Sequence, residues 1–141
     1  MLRSVDFFSA FVDDELAELL KFGIIKKFGA QEYIIKEDSL DYSFFVILKG
    51  KVSIIKESAN KRRKLKIATL DVGDCFGEMA LLLDGQRCAS VMAAMECFAF
   101  VTDGQSLEQM DIETQLKFIR QVAKHMAIKL KNQSTALVEA F

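Results

Sequence analysis

Two changes in hydrophobic period divide this chain and limit what it can fold into. Phe7, Phe8 and Phe11, followed by Leu16, Leu19 and Leu20, fall at helical spacing. Asp13, Asp14 and Glu15 stand where the positive end of a helix dipole favours acids. After Gly23 the pattern becomes that of strands: residues 24–28, 32–36, 43–48, 51–56, 64–70, 89–94 and 96–102 are short runs rich in Ile, Val, Phe and Tyr. Gly29, Asp38-Ser39, Gly50, Asn60 and Gly73-Asp74 punctuate them. Many short strands with regular turns predict an antiparallel barrel or jelly roll. From Ser106 helical spacing returns. Ser106 and Gln109 match a capping box, and Ile112, Leu116, Ile119, Ala123, Met126 and Leu130 alternate steps of four and three. The chain therefore reads as mainly β with flanking helices, in one domain over residues 1–141. Short N-terminal helices span about 4–22, an antiparallel β jelly-roll barrel about 24–102, and C-terminal helices about 106–140.

Phe118 and Val122 widen the apolar face of the last helix beyond one stripe. Two readings follow: the helix docks only on its own barrel, or it also pairs with a second copy or another partner helix. Composition narrows the function classes. With 19 Lys and Arg against 20 Asp and Glu, the net charge of -1 supplies no field for a polyanion, so nucleic acid is not an expected partner. No apolar run approaches the roughly 18 residues of a membrane span, and the first residues lack the pattern of a secretion signal. Cys75, Cys88 and Cys97 form no C-x-x-C pair, which points away from disulfides and zinc and towards a reducing, cytoplasmic setting. A single histidine, His125, argues against a metal-dependent jelly-roll enzyme, since such sites take several imidazoles. The hydrolase, zinc-protease and phosphate-loop motifs are missing, so we expect neither an enzyme nor a metal site. His125 reads as a packed or exposed structural residue. The basic run Lys61-Arg62-Arg63-Lys64 reads as a solvated hairpin tip, and Asn132-Gln133-Ser134 as a chance glycosylation match.

The stretch from Asp74 to Val91 carries the chemistry. Gly77 permits a turn out of a strand, and Glu78 to Leu83 are helix formers with no β-branched residue, which predicts a helix of one or two turns. The first N–H groups of such a helix lack intrahelical acceptors and suit an anion. Arg87 on the returning segment offers a planar fork for two phosphate oxygens. Glu78 beside such a cradle needs a donor of its own, and a sugar hydroxyl serves. Together these residues describe a pocket for a sugar joined to a phosphate.

Phe76, Gly77, Glu78, Met79, Ala80 and Leu81, followed by Arg87, Ala89, Ser90 and Val91, closely resemble the phosphate-binding cassette of the cyclic nucleotide-binding domain family, which includes bacterial catabolite activators and kinase regulatory subunits. Leu48-Lys49-Gly50-Lys51-Val52 resembles that family's glycine hairpin, and Gly73-Asp74 its turn before the cassette. The resemblance implies a cyclic nucleotide sensor with a ligand set of Gly77, Glu78, Met79, Ala80, Arg87, Cys88, Ala89 and Ile67. Arg87 would hold the exocyclic phosphate oxygens, helped by N–H groups of Ala80 and of Cys88 or Ala89. Glu78 would take the ribose 2′-hydroxyl, and Ile67, with Cys75 or Val72, would touch the base. Leu81 would couple the cassette to the last helix, which would move as a lid.

Departures from the family pattern refine these expectations. Cys88 stands where members selective for cGMP often carry Thr, and its thiol is a weak donor, so cAMP is expected ahead of cGMP. Gln86 replaces the proline that often precedes the arginine, which predicts a less restrained loop over residues 84–86. Glu37-Asp38 replaces an early Gly-Asp turn, expected to touch no ligand position. The competing reading makes Glu78 and Arg87 a structural ion pair in a fold without ligand.

Overall fold

A computed structural model describes residues 2–58, 60, 63–83 and 87–139, with side chains as far as residue 132. Residues 84–86, expected to form a less restrained loop, and part of the basic run therefore lie outside the described residues, as do the side chains of Gln133 and Ser134. Two 3-10 turns, Leu2–Ser4 and Asp6–Phe8, lead into helix α1, Asp13–Phe22. The Glu15 carboxylate turns back to accept the Val12 N–H at 2.9 Å, closing the first turn of α1.

Eight strands follow: β1 Ile24–Phe28, β2 Tyr33–Ile35, β3 Ser43–Lys49, β4 Val52–Glu57, β5 Lys64–Leu70, β6 Cys75–Phe76, β7 Ser90–Ala93 and β8 Cys97–Asp103. They form two four-stranded antiparallel sheets, ordered β1-β8-β3-β6 and β2-β7-β4-β5. The strands have the expected jelly-roll character, arranged as two facing sheets and not closed into a ring. The edge strands explain the opening: β1 and β5 are largely exposed, and Lys26 and Lys27 on one and Lys64 and Lys66 on the other discourage further pairing.

Strand β3 sets the layering. Its run Phe44-Phe45-Val46-Ile47-Leu48 is buried throughout, because both faces of the strand are covered. Phe44, Val46 and Leu48 join a core under the helices with Phe7, Phe8, Phe100 and Phe118. Phe45 and Ile47 join a second core between the sheets, where Phe45 stacks on Phe76 with ring centroids 4.7 Å apart.

Helix α2, Glu78–Leu82, interrupts the strands, and α3, Gly104–Glu108, follows β8. The start of α3 corrects the expected capping box: the Asp103 carboxylate, not Ser106, is the cap, accepting the Ser106 N–H at 2.7 Å. The chain then breaks before the long helix α4, Ile112–Glu139. Glu18 of α1 takes the Asp111 N–H at 2.6 Å and the Thr114 hydroxyl, so α1 supplies the cap for α4. Phe118 and Val122 are fully buried, with Phe118 edge-on to Phe7 and Phe44 at 5.3 and 5.4 Å. The stripe of fours and threes turns outward instead: Ile112, Leu116, Ile119, Met126 and Leu130 are exposed. Among the described residues no helix is long and apolar enough to cross a membrane.

Candidate functional site

Between the second sheet, the β6–α2 turn and α4 lies a cavity of about 460 Å³, within the range of small-ligand pockets. Its apolar wall is Ile35, Ile54, Ala68, Leu70, Phe76 and Val91, and its charged and polar groups are Glu78, Arg87, Lys129 and Asn132.

The turn depends on Gly77. Its φ is +88°, and a Cβ there would lie 2.6 Å from the Ser43 carbonyl oxygen and 3.1 Å from Arg87 Nη1. A side chain at this position would meet both strain and a clash. The same Ser43 oxygen accepts a hydrogen bond from Arg87 Nη2 at 2.6 Å. Arg87 is only 6% exposed, with Asp41 Oδ1 3.7 Å away, and its Nε has no hydrogen-bond partner among the described residues. Burial pulls the guanidinium below its ordinary pKa, while Asp41 and Glu78 oppose that shift. The backbone is tied down as well: the Arg87 N–H donates to Ser39 and its carbonyl accepts from Asp38. Asp38 adopts a left-handed φ of +66°, and the Glu37-Asp38 turn, expected to touch no ligand position, holds the segment that carries Arg87 through the Asp38 N–H.

Glu78 and Arg87 each have a different ionic partner. Lys129 of α4 donates to the Cys75 carbonyl at 2.9 Å and lies 4.0 Å from Glu78 Oε1. The ion pairs formed are thus Arg87–Asp41 and Glu78–Lys129, which weighs against a mutual Glu78–Arg87 pair as the reason for both residues.

Gly77, Glu78, Met79, Arg87, Cys88 and Ala89 line the cavity. Ala80 does not, and its N–H donates to the Gly77 carbonyl at 3.1 Å. Ile67 needs correction. The β4–β5 register passes from Ile54↔Ala68 to Ile55↔Lys66, leaving Ile67 at a bulge, exposed and off the cavity, while Ala68 and Leu70 face it. Val72 is exposed and Cys75 is fully buried behind the wall, where desolvation pushes its thiol up to about 12. Leu81 packs on the core under the helices. His125 packs on Phe7 at 5.5 Å and does not line the cavity.

Sequence reasoning missed Lys129, Asn132, Asp41 and the Ser43 carbonyl. Lys129 and Asn132 sit a turn apart off the apolar stripe of α4, and only the seating of that helix brings them to the cassette. Among the described residues no cluster of His, Cys, Asp or Glu is arranged to hold a metal ion.

Comparison with known proteins comes to the same region. A sequence profile for the cyclic nucleotide-binding domain matches residues 25–112. The chain is 39% identical over 93 residues to a cGMP-dependent protein kinase of Toxoplasma gondii, covering 66% of this chain and 9% of the kinase. It is 32% identical over 92 residues to cGMP-dependent protein kinase 2 of Homo sapiens, covering 65% of this chain and 12% of the kinase. The chain spans about a tenth of the length of these curated relatives. Among solved structures, a cyclic nucleotide-binding domain from Methylobacillus flagellatus KT superposes with a TM-score of 0.83 at 18% identity, covering 99% of this chain and 80% of that one.

Proposed function

This chain belongs to the cyclic nucleotide-binding domain family, and from that premise we propose that it binds a 3′,5′-cyclic purine nucleotide, cAMP ahead of cGMP, as a regulatory and non-catalytic module. The observation that carries this reading is Arg87: a guanidinium almost completely buried on the cavity wall, with its Nε donor unspent among the described residues. Burying a charged donor without a partner is unfavourable, and an anionic ligand oxygen would satisfy it. The roles follow. Arg87 holds the cyclic phosphate, Glu78 accepts the ribose 2′-hydroxyl, Gly77 lets the sugar approach the backbone, and the apolar wall receives the purine. Helix α4 closes the site as a lid through Lys129 and Asn132. The choice of cAMP rests on Cys88, a residue that lines the cavity and whose thiol would offer only a weak donor to a guanine. The kinases named above point the other way, towards cGMP.

Thermal unfolding with cAMP, cGMP and 5′-AMP tests the proposal. Ligand at 100 times Kd adds about 2.7 kcal/mol of stability to the folded state. Arg87→Ala should weaken binding by about ten- to a hundredfold, matching about 1.5–3 kcal/mol for a lost charged hydrogen bond. No shift with either cyclic nucleotide at millimolar concentration overturns the reading, and a larger shift with cGMP reverses the choice of base.

A second reading concerns α4. Its outward stripe at 3.5-residue spacing favours pairing with a second copy of the chain, in addition to the docking of Phe118 and Val122 on their own core.

A further inference from the structure

The apolar seat of α4 ends near Val122. Further along, Met126, Ile128 and Leu130 are exposed, and the helix reaches the cassette through Lys129. Its ammonium straddles the Gly77 turn. On one side it donates to the carbonyl of Cys75, at 2.9 Å, and on the other it faces the Glu78 carboxylate at 4.0 Å. Both residues line the cavity, and the Lys129 and Glu78 side chains are partly shielded, with relative exposures of 34% and 21%. A carboxylate on the wall of a site for an anion repels that anion unless a cation compensates it. Lys129 is the cation placed to do so, and it comes from the helix that covers the site.

We propose that Lys129 is a positioning residue that joins α4 to the sugar subsite: it neutralises and orients Glu78, so that ligand binding at Glu78 and the seating of α4 reinforce each other. The inference rests on the cyclic-nucleotide reading of this cavity. It extends that reading by assigning a residue of the lid helix a function exerted through Glu78. By linkage, whatever free energy Lys129 contributes to binding, the ligand returns to the seating of the helix.

A double-mutant cycle separates this role from simple packing of the lid. We would measure the Kd for cAMP of the wild-type chain, Lys129→Met, Glu78→Gln and the double variant, with thermal unfolding as a check on folding. Lys129→Met should weaken binding about tenfold when Glu78 is present, equivalent to about 1.4 kcal/mol, and less than about threefold in the Glu78→Gln background. Lys129→Arg, which keeps the charge, should restore most of the loss. Equal losses in both backgrounds, or no loss at all, overturn the inference while leaving the binding function intact. A wild-type chain that binds no cyclic nucleotide overturns the function, and this inference with it.

Discussion

Gly77 and Arg87 share one acceptor environment. The Ser43 carbonyl that holds Arg87 Nη2 at 2.6 Å is the same oxygen that a Cβ on residue 77 would strike. Gly77→Ala should therefore do two things: cost at least about 1–2 kcal/mol from its left-handed backbone, and displace the carbonyl that aims the guanidinium. We expect a lower midpoint in urea together with a loss of nucleotide affinity larger than the stability change alone would give. Unchanged affinity in a folded Gly77→Ala protein would disprove the shared dependence. Gly77, Glu78 and Arg87 are legible in the sequence because they lie within eleven residues and each does something few other residue types can. Asp41, the Ser43 carbonyl and Lys129 are not, since a backbone oxygen has no sequence signature and the two side chains arrive through tertiary placement. Ala80 is placed differently from its neighbours, with its N–H engaged within its own turn.

Elements were easier to read than the faces they present. The strand-rich centre and both helical ends are visible in the period of the apolar residues, yet period alone does not say which way a strand is turned. At β5 a bulge shifts the phase, so Ile67 leaves the cavity wall and its smaller neighbour Ala68 takes the place facing it. In α4 the widened apolar face divides, with Phe118 and Val122 inward and the regular stripe outward. Ile119, at the middle of that stripe, is 36% exposed and outside the buried cores. Ile119→Lys should leave the fold and its unfolding midpoint nearly unchanged while abolishing self-association in sedimentation experiments. If the wild-type and the variant sediment identically, pairing through α4 is wrong.

At the scale of the molecule, the joint between the N-terminal turns and α4 should make stability depend on pH. His125 packs against Phe7, its Nε2 has no hydrogen-bond partner among the described residues, and burial lowers its pKa below the ordinary 6.5. Asp74 and Asp6 act to raise it, while Lys124 and Lys129 add to the lowering. As the pH falls through 6.5, the unfolded chain takes up a proton that the folded chain refuses, so stability decreases on acidification. Unfolding midpoints measured from pH 7.5 to 5.5 should fall, and His125→Gln should flatten the slope. Glu15, held below the usual carboxylate range by Lys117 and the Val12 N–H, loses its contribution only at lower pH and leaves this window clear. A slope that survives in His125→Gln would exclude the histidine as its source.

The alternation of β3 between two cores has a consequence for how a chain of this kind could change length. Successive residues from Phe44 to Leu48 belong to opposite cores. Inserting or deleting one residue there would turn everything beyond it over, sending phenylalanines from the helix side between the sheets and the reverse. That strand can accept substitutions but not a change of phase. Insertions and deletions should therefore be excluded between 44 and 48, and a one-residue deletion there should leave no cooperative thermal unfolding transition.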